Sequence, residues 1–394
     1  MLSQKVIQSL SSSSWIRAMF EEGEKLRKIH GTENVYDFSL GNPDVEPPKE
    51  VKEAYRKLIL EDNPNLHKYM VNAGFADVRE KIAGRLQRET GIPMGFQNIV
   101  MTCGAAGGLN VVLKTILNPG EEVIVFIPYF VEYLSYIDNH GGKAVKVSTN
   151  LNTFEPDPEE LKKHITKNTK AVIVNSPNNP TGVIYSEDIL KKMAQVLESK
   201  EKEYGTTIFV ISDEPYNKLV YDNVEVPSVL KIFRNSIIVN SYSKSLSLPG
   251  ERIGYIAANS NISDNGLLMG GLIYCNRTLG FVNAPALVQK VIAEAIDAAV
   301  DTESYKRRRD VLYNHITSLG FTCARPQGAF YLFPKAPVPD DVEFVKSAVK
   351  HNLLLVPGTG FGCPGYFRLA YCVSMKIIEN SLPAFEALAK EYFK

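Results

Sequence analysis

Residues 171–216 read AVIVNSPNNPTGVIYSEDILKKMAQVLESKEKEYGTTIFVISDEPY. Ala171–Val174 is a short apolar run rich in β-branched residues, the composition of a strand buried on both faces. Asn175–Gly182 follows with two prolines and three asparagines, a turn that proline stiffens and that leaves side-chain amides free to hydrogen-bond. Ser186 is placed to cap a helix from Glu187 to about Glu203, with Glu187 and Asp188 at its positive end. Ile208–Ile211 is a second strand-like run, and Asp213-Glu214-Pro215-Tyr216 follows it. Short strands separated by helices argue for a mostly parallel sheet covered on both faces. In such sheets ligands bind beyond the C-terminal ends of the strands, so the chemistry is expected just after each strand.

The same rhythm extends in both directions. Asn98–Cys103 reads as a strand and Ala105–Leu117 as a helix closed by Asn118-Pro119-Gly120. Val123–Ile127, Lys143–Val147, Ile237–Val239 and Ile253–Ala257 are further strand-like runs, and Phe130–Asn139 and Pro158–His164 read as helices. After Pro285 the pattern changes. Ala286–Leu319 reads as one long helix, followed by strands at Phe330–Phe333, Leu353–Val356 and Phe367–Tyr371 and helices at Val342–His351 and Ile377–Tyr392. The N-terminal helical segment, Ser13–His30, is expected to pack with this last part. The expected organisation is α/β: a large domain over residues 46–289, and a smaller α+β domain built from both chain ends, 1–45 and 290–394.

Composition narrows the function. The 394 residues carry 44 Lys+Arg and 44 Asp+Glu, a net charge of zero, which argues against a charge-driven nucleic-acid binder or a polybasic membrane binder. The longest apolar stretch, Val123–Val131, is interrupted by Pro128 and is far short of the roughly 20 residues that span a bilayer. Met1–Phe20 has no continuous apolar segment of the kind a secretory signal needs. The five cysteines form no CxxC pair and fit free thiols in a reducing cytoplasm. The six histidines show no zinc-ligand spacing, so a metal enzyme is not expected.

Five strand ends carry unusual sequence. Gly104–Gly108 opens a helix with small residues that let backbone N–H groups approach an anion. Pro128-Tyr129-Phe130 offers an aromatic face to a flat ring. The asparagine-proline turn is the third. Asp213, at the end of an apolar strand, is costly to bury without a cationic partner. Lys244 follows Ser241-Tyr242-Ser243 with Arg252 eight residues on; a poorly solvated lysine near another cation has a lowered pKa and becomes a nucleophilic amine. Taken singly these have ordinary readings: tight turns, a core aromatic, a loop acid, a surface lysine. Their convergence on one crevice favours the functional reading.

As a set, in this order, these residues resemble a family. Gly41-Asn42-Pro43, the Tyr69/Gly74 segment, Asn179-Pro180-Thr181-Gly182, Asp213–Tyr216, Ser241-x-Ser243-Lys244, Arg252 and Arg368 look like the fold-type I aminotransferases of the aspartate aminotransferase class, over essentially the whole chain. The resemblance implies pyridoxal 5'-phosphate as cofactor, held on Lys244 as a Schiff base. It implies that Asp213 pairs with the pyridine N–H and that Tyr216 and Asn179 bond the ring's phenolic oxygen. The Ala105 and Ala106 amides, Ser241, Ser243 and Arg252 would hold the phosphate. Phe130 would stack on the ring, with Tyr129 adjacent. Arg368, with Asn179 and Gly41, would bind the substrate, Arg368 forking its α-carboxylate. Tyr69 matches a tyrosine that reaches the neighbouring subunit's cofactor, which implies a homodimer with shared active sites. The implied reaction is ping-pong transamination between an L-amino acid and a 2-oxo acid, with aspartate and 2-oxoglutarate the first guess; a lyase or decarboxylase on the same scaffold is the alternative.

Two departures from the family pattern bear on substrate. Asn42 stands where an acid is frequent, and Ala106 stands where some aspartate-specific relatives place a lysine for the distal carboxylate. Arg17 and Arg277 are the candidates to replace that lysine. Two other motifs fail on their own terms. Ser241-x-x-Lys244 has no accompanying KTG for a serine acyl-transfer enzyme. Gly360-x-Gly362-x-x-Gly365 is followed by a strand-like run, where a dinucleotide site needs a helix. A purely binding role is disfavoured while Lys244 and Asp213 are both present.

Overall fold

A computed structural model of the chain describes residues 2–4, 6, 7 and 15–393. Its strands are β1 (Tyr36–Asp37), β2 (Ile99–Thr102), β3 (Glu122–Ile127), β4 (Lys143–Ser148), β5 (Thr169–Asn175), β6 (Phe209–Asp213), β7 (Ser236–Ser241), β8 (Gly254–Ala258), β9 (Tyr331–Leu332), β10 (Leu353–Leu354), β11 (Val356–Pro357) and β12 (Phe367–Ala370). Seven of them form one sheet in the order β2-β8-β7-β6-β5-β3-β4. All its pairings are parallel except those of β8, which runs antiparallel to both β2 and β7. This is the expected architecture, a mostly parallel sheet between helices.

The side-chain alternation shows why both faces are covered. On β2, Ile99 and Met101 join a core with the helices Lys49–Leu60, Ala76–Thr90 and Ala286–Glu294, whereas Val100 joins a core with Gly104–Ile116 and Asn265–Thr278. On β5, Ala171 and Ile173 face that second core, while Val172 and Val174 pack under Pro158–His164 and Glu187–Tyr204. A strand presents successive residues to opposite faces, so an unbroken apolar run serves two helical layers. The helix Glu187–Tyr204 begins where Ser186 accepts from the Ile189 N–H and ends at Gly205, whose φ of 65° is the left-handed closing conformation.

The later part of the chain departs from expectation in its detail. The single helix expected over 286–319 is two, Ala286–Glu294 and Thr302–Ser318. Between them Val300 is buried and its N–H bonds the Ser245 carbonyl at 3.1 Å, and Asp301 caps the second helix through the Ser304 N–H. The tertiary bond and the cap together win over helical continuity. Leu353–Val356 is likewise divided: β10 pairs with β1, and β11 pairs with β12. Phe330–Phe333 contributes only the two residues of β9, paired with β12. The first helix runs Trp15–His30 and packs on β10 and β11, while Ser13 and Ser14 of the expected segment lie outside the described residues. One apolar core joins these pieces, from Met19 and Phe38 through Tyr305 and Leu312 to Phe367 and Phe385.

Candidate active site

Three adjacent parallel strands end together. Asn175 closes β5 opposite Asp213 at the end of β6, and Asp213 in turn pairs with Val239, two residues before Ser241 closes β7. Beyond these ends lies a cavity of about 270 Å³. Every residue expected to hold cofactor or substrate within one chain lines it: Gly41, Ala105, Ala106, Phe130, Asn179, Asp213, Tyr216, Ser241, Ser243, Lys244, Arg252 and Arg368. Tyr69 does not. It is 93% exposed, beside a separate hollow bordered by Phe281 and Val282. Arg277 is also outside the cavity, exposed on its helix against the Tyr274 ring, and the Arg17 side chain lies outside the described residues. A larger groove, about 720 Å³, runs past Lys170, Glu201 and Arg234 at the N-terminal ends of the strands and contains none of the site residues.

The two key ionisable groups are both perturbed by burial. Asp213 is 6% exposed, and desolvation pushes its carboxyl up to about 6. Its Oδ2 accepts from the Tyr133 hydroxyl at 2.6 Å, which opposes that rise, while Oδ1 is buried and has no partner among the described residues. Lys244 sits in a single helical turn after β7 and donates from Nζ to the Gly41 carbonyl at 2.5 Å. Burial lowers its amine to about 8, helped by the positive charges of Arg368 and Arg252. At neutral pH a useful fraction of such an amine is already unprotonated.

The rest of the lining is suited to anions. The helix Gly104–Ile116 opens there with no side-chain cap, so its first amides keep their donors, and the helix adds partial positive charge. Arg252 approaches so closely that a Cβ on Gly104 would lie 2.9 Å from Nη2. Arg368, on β12, is 2% exposed. Its Nη1 donates to Asn179 Oδ1 at 3.1 Å and its Nη2 to the Ser39 carbonyl at 2.5 Å, while Nε is buried without a partner among the described residues. A guanidinium has five N–H donors, so several remain for a ligand. Asn179 is itself held, its N–H bonded to Asn175 Oδ1 at 2.8 Å.

Sequence reasoning missed Tyr133, Tyr136 and Tyr331, of which all but Tyr133 line the cavity, and it took Asn175, which also lines it, only as part of the asparagine-proline turn. Tyr133 had a usable signal. It stands three residues after Phe130, and the two rings meet edge-on at 5.5 Å. Tyr331 had none, because an aromatic in an apolar run reads as core.

An orphaned buried carboxylate oxygen, a desolvated amine, an aromatic wall and an uncapped helix start facing one cavity define a site for a phosphorylated, cationic aromatic aldehyde. The residues fit pyridoxal phosphate: Lys244 for the aldehyde, Asp213 Oδ1 for a ring N–H, and the Ala105 and Ala106 amides with Arg252 for the phosphate. The chain belongs to the aminotransferase class I and II family, whose model matches residues 33–385, and it is a pyridoxal-phosphate-dependent aminotransferase. It is similar to the aspartate/prephenate aminotransferase of Thermus thermophilus, 33% identical over 88% of this chain and 89% of that one. The probable aspartate aminotransferase of Methanocaldococcus jannaschii is 31% identical over 92% and 94%. Among solved structures, an aminotransferase from Eubacterium rectale superposes with a TM-score of 0.97 at 40% identity, covering 100% of both chains. The Thermus thermophilus aspartate aminotransferase with maleate gives 0.86 at 30% identity, covering 98% of this chain and 99% of that one.

Proposed function

We propose that this chain transaminates between an L-amino acid and a 2-oxo acid in the cavity beyond β5–β7, with aspartate and 2-oxoglutarate as the preferred pair. The observation that carries the reading is the placement of Lys244, Asp213 and Arg368 on one cavity, each with its unused donor, acceptor or amine available to it. Bound pyridoxal phosphate supplies an electron-withdrawing ring that stabilises negative charge at the substrate Cα. Asp213, as the ionised partner of the ring nitrogen, keeps a proton there, and the Tyr133 hydrogen bond holds its carboxylate in place. Arg368 takes the substrate carboxylate with its remaining N–H donors and so fixes which Cα bond faces Lys244. Lys244 Nζ, with its lowered pKa, would accept the Cα proton and deliver it to the cofactor's aldehyde-derived carbon. Phe130 would stack on the cofactor ring, and Tyr216 and Asn179 would bond its oxygen.

The named activities of the similar proteins support aspartate as donor. Within one chain no lysine or arginine beyond Lys244, Arg252 and Arg368 lines the cavity among the described residues, so the distal carboxylate is assigned to a group from a second copy. The exposed Tyr69 belongs to the same proposal: a homodimer in which Tyr69 completes the partner's site. Single-turnover reaction of the loaded enzyme with each of the twenty common amino acids tests this reading. Aspartate should convert the bound cofactor to its aminated form and release oxaloacetate. Conversion by no amino acid, or release of ammonia or carbon dioxide in place of transfer, would overturn it.

A further inference from the structure

Tyr331 lies where three parts of the site meet. On β9 it pairs with Ala370 of β12, two residues along from Arg368, and its ring lies 4.7 Å from the Arg368 guanidinium carbon. Its hydroxyl is 2.8 Å from the Tyr216 hydroxyl. A Cβ at Gly41 would come within 2.1 Å of the same oxygen, so any larger residue at 41 would have to displace the Tyr331 ring. The side chain is 2% exposed, lines the cavity, and bonds no group but Tyr216 among the described residues.

Each phenol carries one proton, and the pair shares one hydrogen bond. One proton is therefore committed to the pair and one is free. We propose that Tyr331 is a positioning residue: its hydroxyl donates to Tyr216 Oη, which turns the single Tyr216 proton into the cavity, and its ring steadies the Arg368 guanidinium. The opposite polarity would leave Tyr216 with no proton for a cavity ligand. The surrounding charges favour the stated one. Burial raises both phenols and Arg368 draws both back down, but the guanidinium lies directly against the Tyr331 ring, while Asp213 pushes Tyr216 further up, which makes Tyr331 the better donor. The inference rests on the reading above, in which Tyr216 serves the cofactor and Arg368 the substrate.

The two functions are separable by substitution. Tyr331→Phe keeps the ring and removes the donor; Tyr331→Leu removes both. In the loaded enzyme Tyr331→Phe should lower kcat about three- to tenfold, the value of one neutral hydrogen bond. It should also raise the pH midpoint of the bound cofactor's visible band, because a weaker Tyr216 donor leaves more negative charge on the ring oxygen. Maleate affinity, read by spectral titration, should stay within about twofold. Tyr331→Leu should in addition weaken maleate by about tenfold, through loss of the contact to the guanidinium. In a Tyr216→Phe background, Tyr331→Phe should add less than about twofold to either kcat or the midpoint, since the two hydroxyls act as one unit. Calorimetric titration of the cofactor-free proteins with pyridoxal phosphate supplies a readout independent of turnover: affinity should fall in Tyr331→Phe and in Tyr216→Phe to a similar degree. If Tyr216→Phe alters these readouts and Tyr331→Phe does not, or if their effects add, the role assigned to Tyr331 is wrong. If Tyr216→Phe itself is silent, the underlying reading of the site fails.

Discussion

Asp213 and Lys244 are held in protonation states that the fold alone disfavours, and this makes the site testable one residue at a time. The Asp213 carboxyl rises from 3.8 unfolded to about 6 folded, so the folded chain binds more protons between those values. Its contribution to stability is then fullest below about pH 4 and is lost as pH rises through about 6, a loss of the order of 3 kcal/mol in the cofactor-free protein. Asp213→Asn should therefore raise the melting temperature of the cofactor-free protein at pH 7.5 while weakening pyridoxal phosphate binding; lower stability with unchanged binding would contradict the assignment. Lys244 shifts the other way, from 10.5 to about 8. Covalent capture of pyridoxal phosphate by the cofactor-free protein should accelerate from pH 7 to pH 9 and then level off; a rate still climbing at pH 10.5 would mean an ordinary, solvated lysine. Arg368→Lys keeps the charge and loses the fork, and should cost amino-acid substrates roughly 2–5 kcal/mol in kcat/KM. Kinetics within a factor of two of the parent would remove Arg368 from substrate binding.

At the level of elements, the sheet and much of the cavity lining were legible because many of the lining residues end a strand or follow it directly in the sequence. Asn175, Asp213 and Ser241 are the last residues of β5, β6 and β7, so register alone brings them side by side. The helix Glu187–Tyr204 was legible from its cap and acidic first turn. What escaped reading depends on contacts between distant segments. Tyr331 reaches the site only because β9 pairs with β12. The chain breaks at 295–301 because Val300 bonds Ser245, 55 positions earlier, a partner that no local pattern reveals. The N-cap at Asp301 is the local half of that break. Asp301→Ala should lower stability by about 1 kcal/mol, measured by denaturant midpoint, with helix content little changed. Since the same loop touches the turn carrying Lys244, a small fall in cofactor affinity should accompany it; full stability in Asp301→Ala would show that packing of Val300 alone ends the helix.

For the molecule as a whole, the chain ends and the large sheet meet at the cavity. Ser39 and Gly41 from the N-terminal segment, Lys244 from the sheet and Arg368 from the C-terminal segment are joined by direct hydrogen bonds. A substrate held between Lys244 and Arg368 would therefore touch both regions at once. Tyr69 is exposed beside the hollow at Phe281, where the proposed homodimer would seat its second copy. Light scattering should return twice the chain mass of 43.8 kDa, and Tyr69→Phe should weaken cofactor binding without changing that mass. A monomer with full activity would remove the shared site. The most direct measurement is borohydride reduction of the loaded enzyme followed by peptide mass spectrometry. The expected result is one pyridoxyl group per chain, on the peptide containing Lys244; a group on any other lysine, or none, would contradict the site described above.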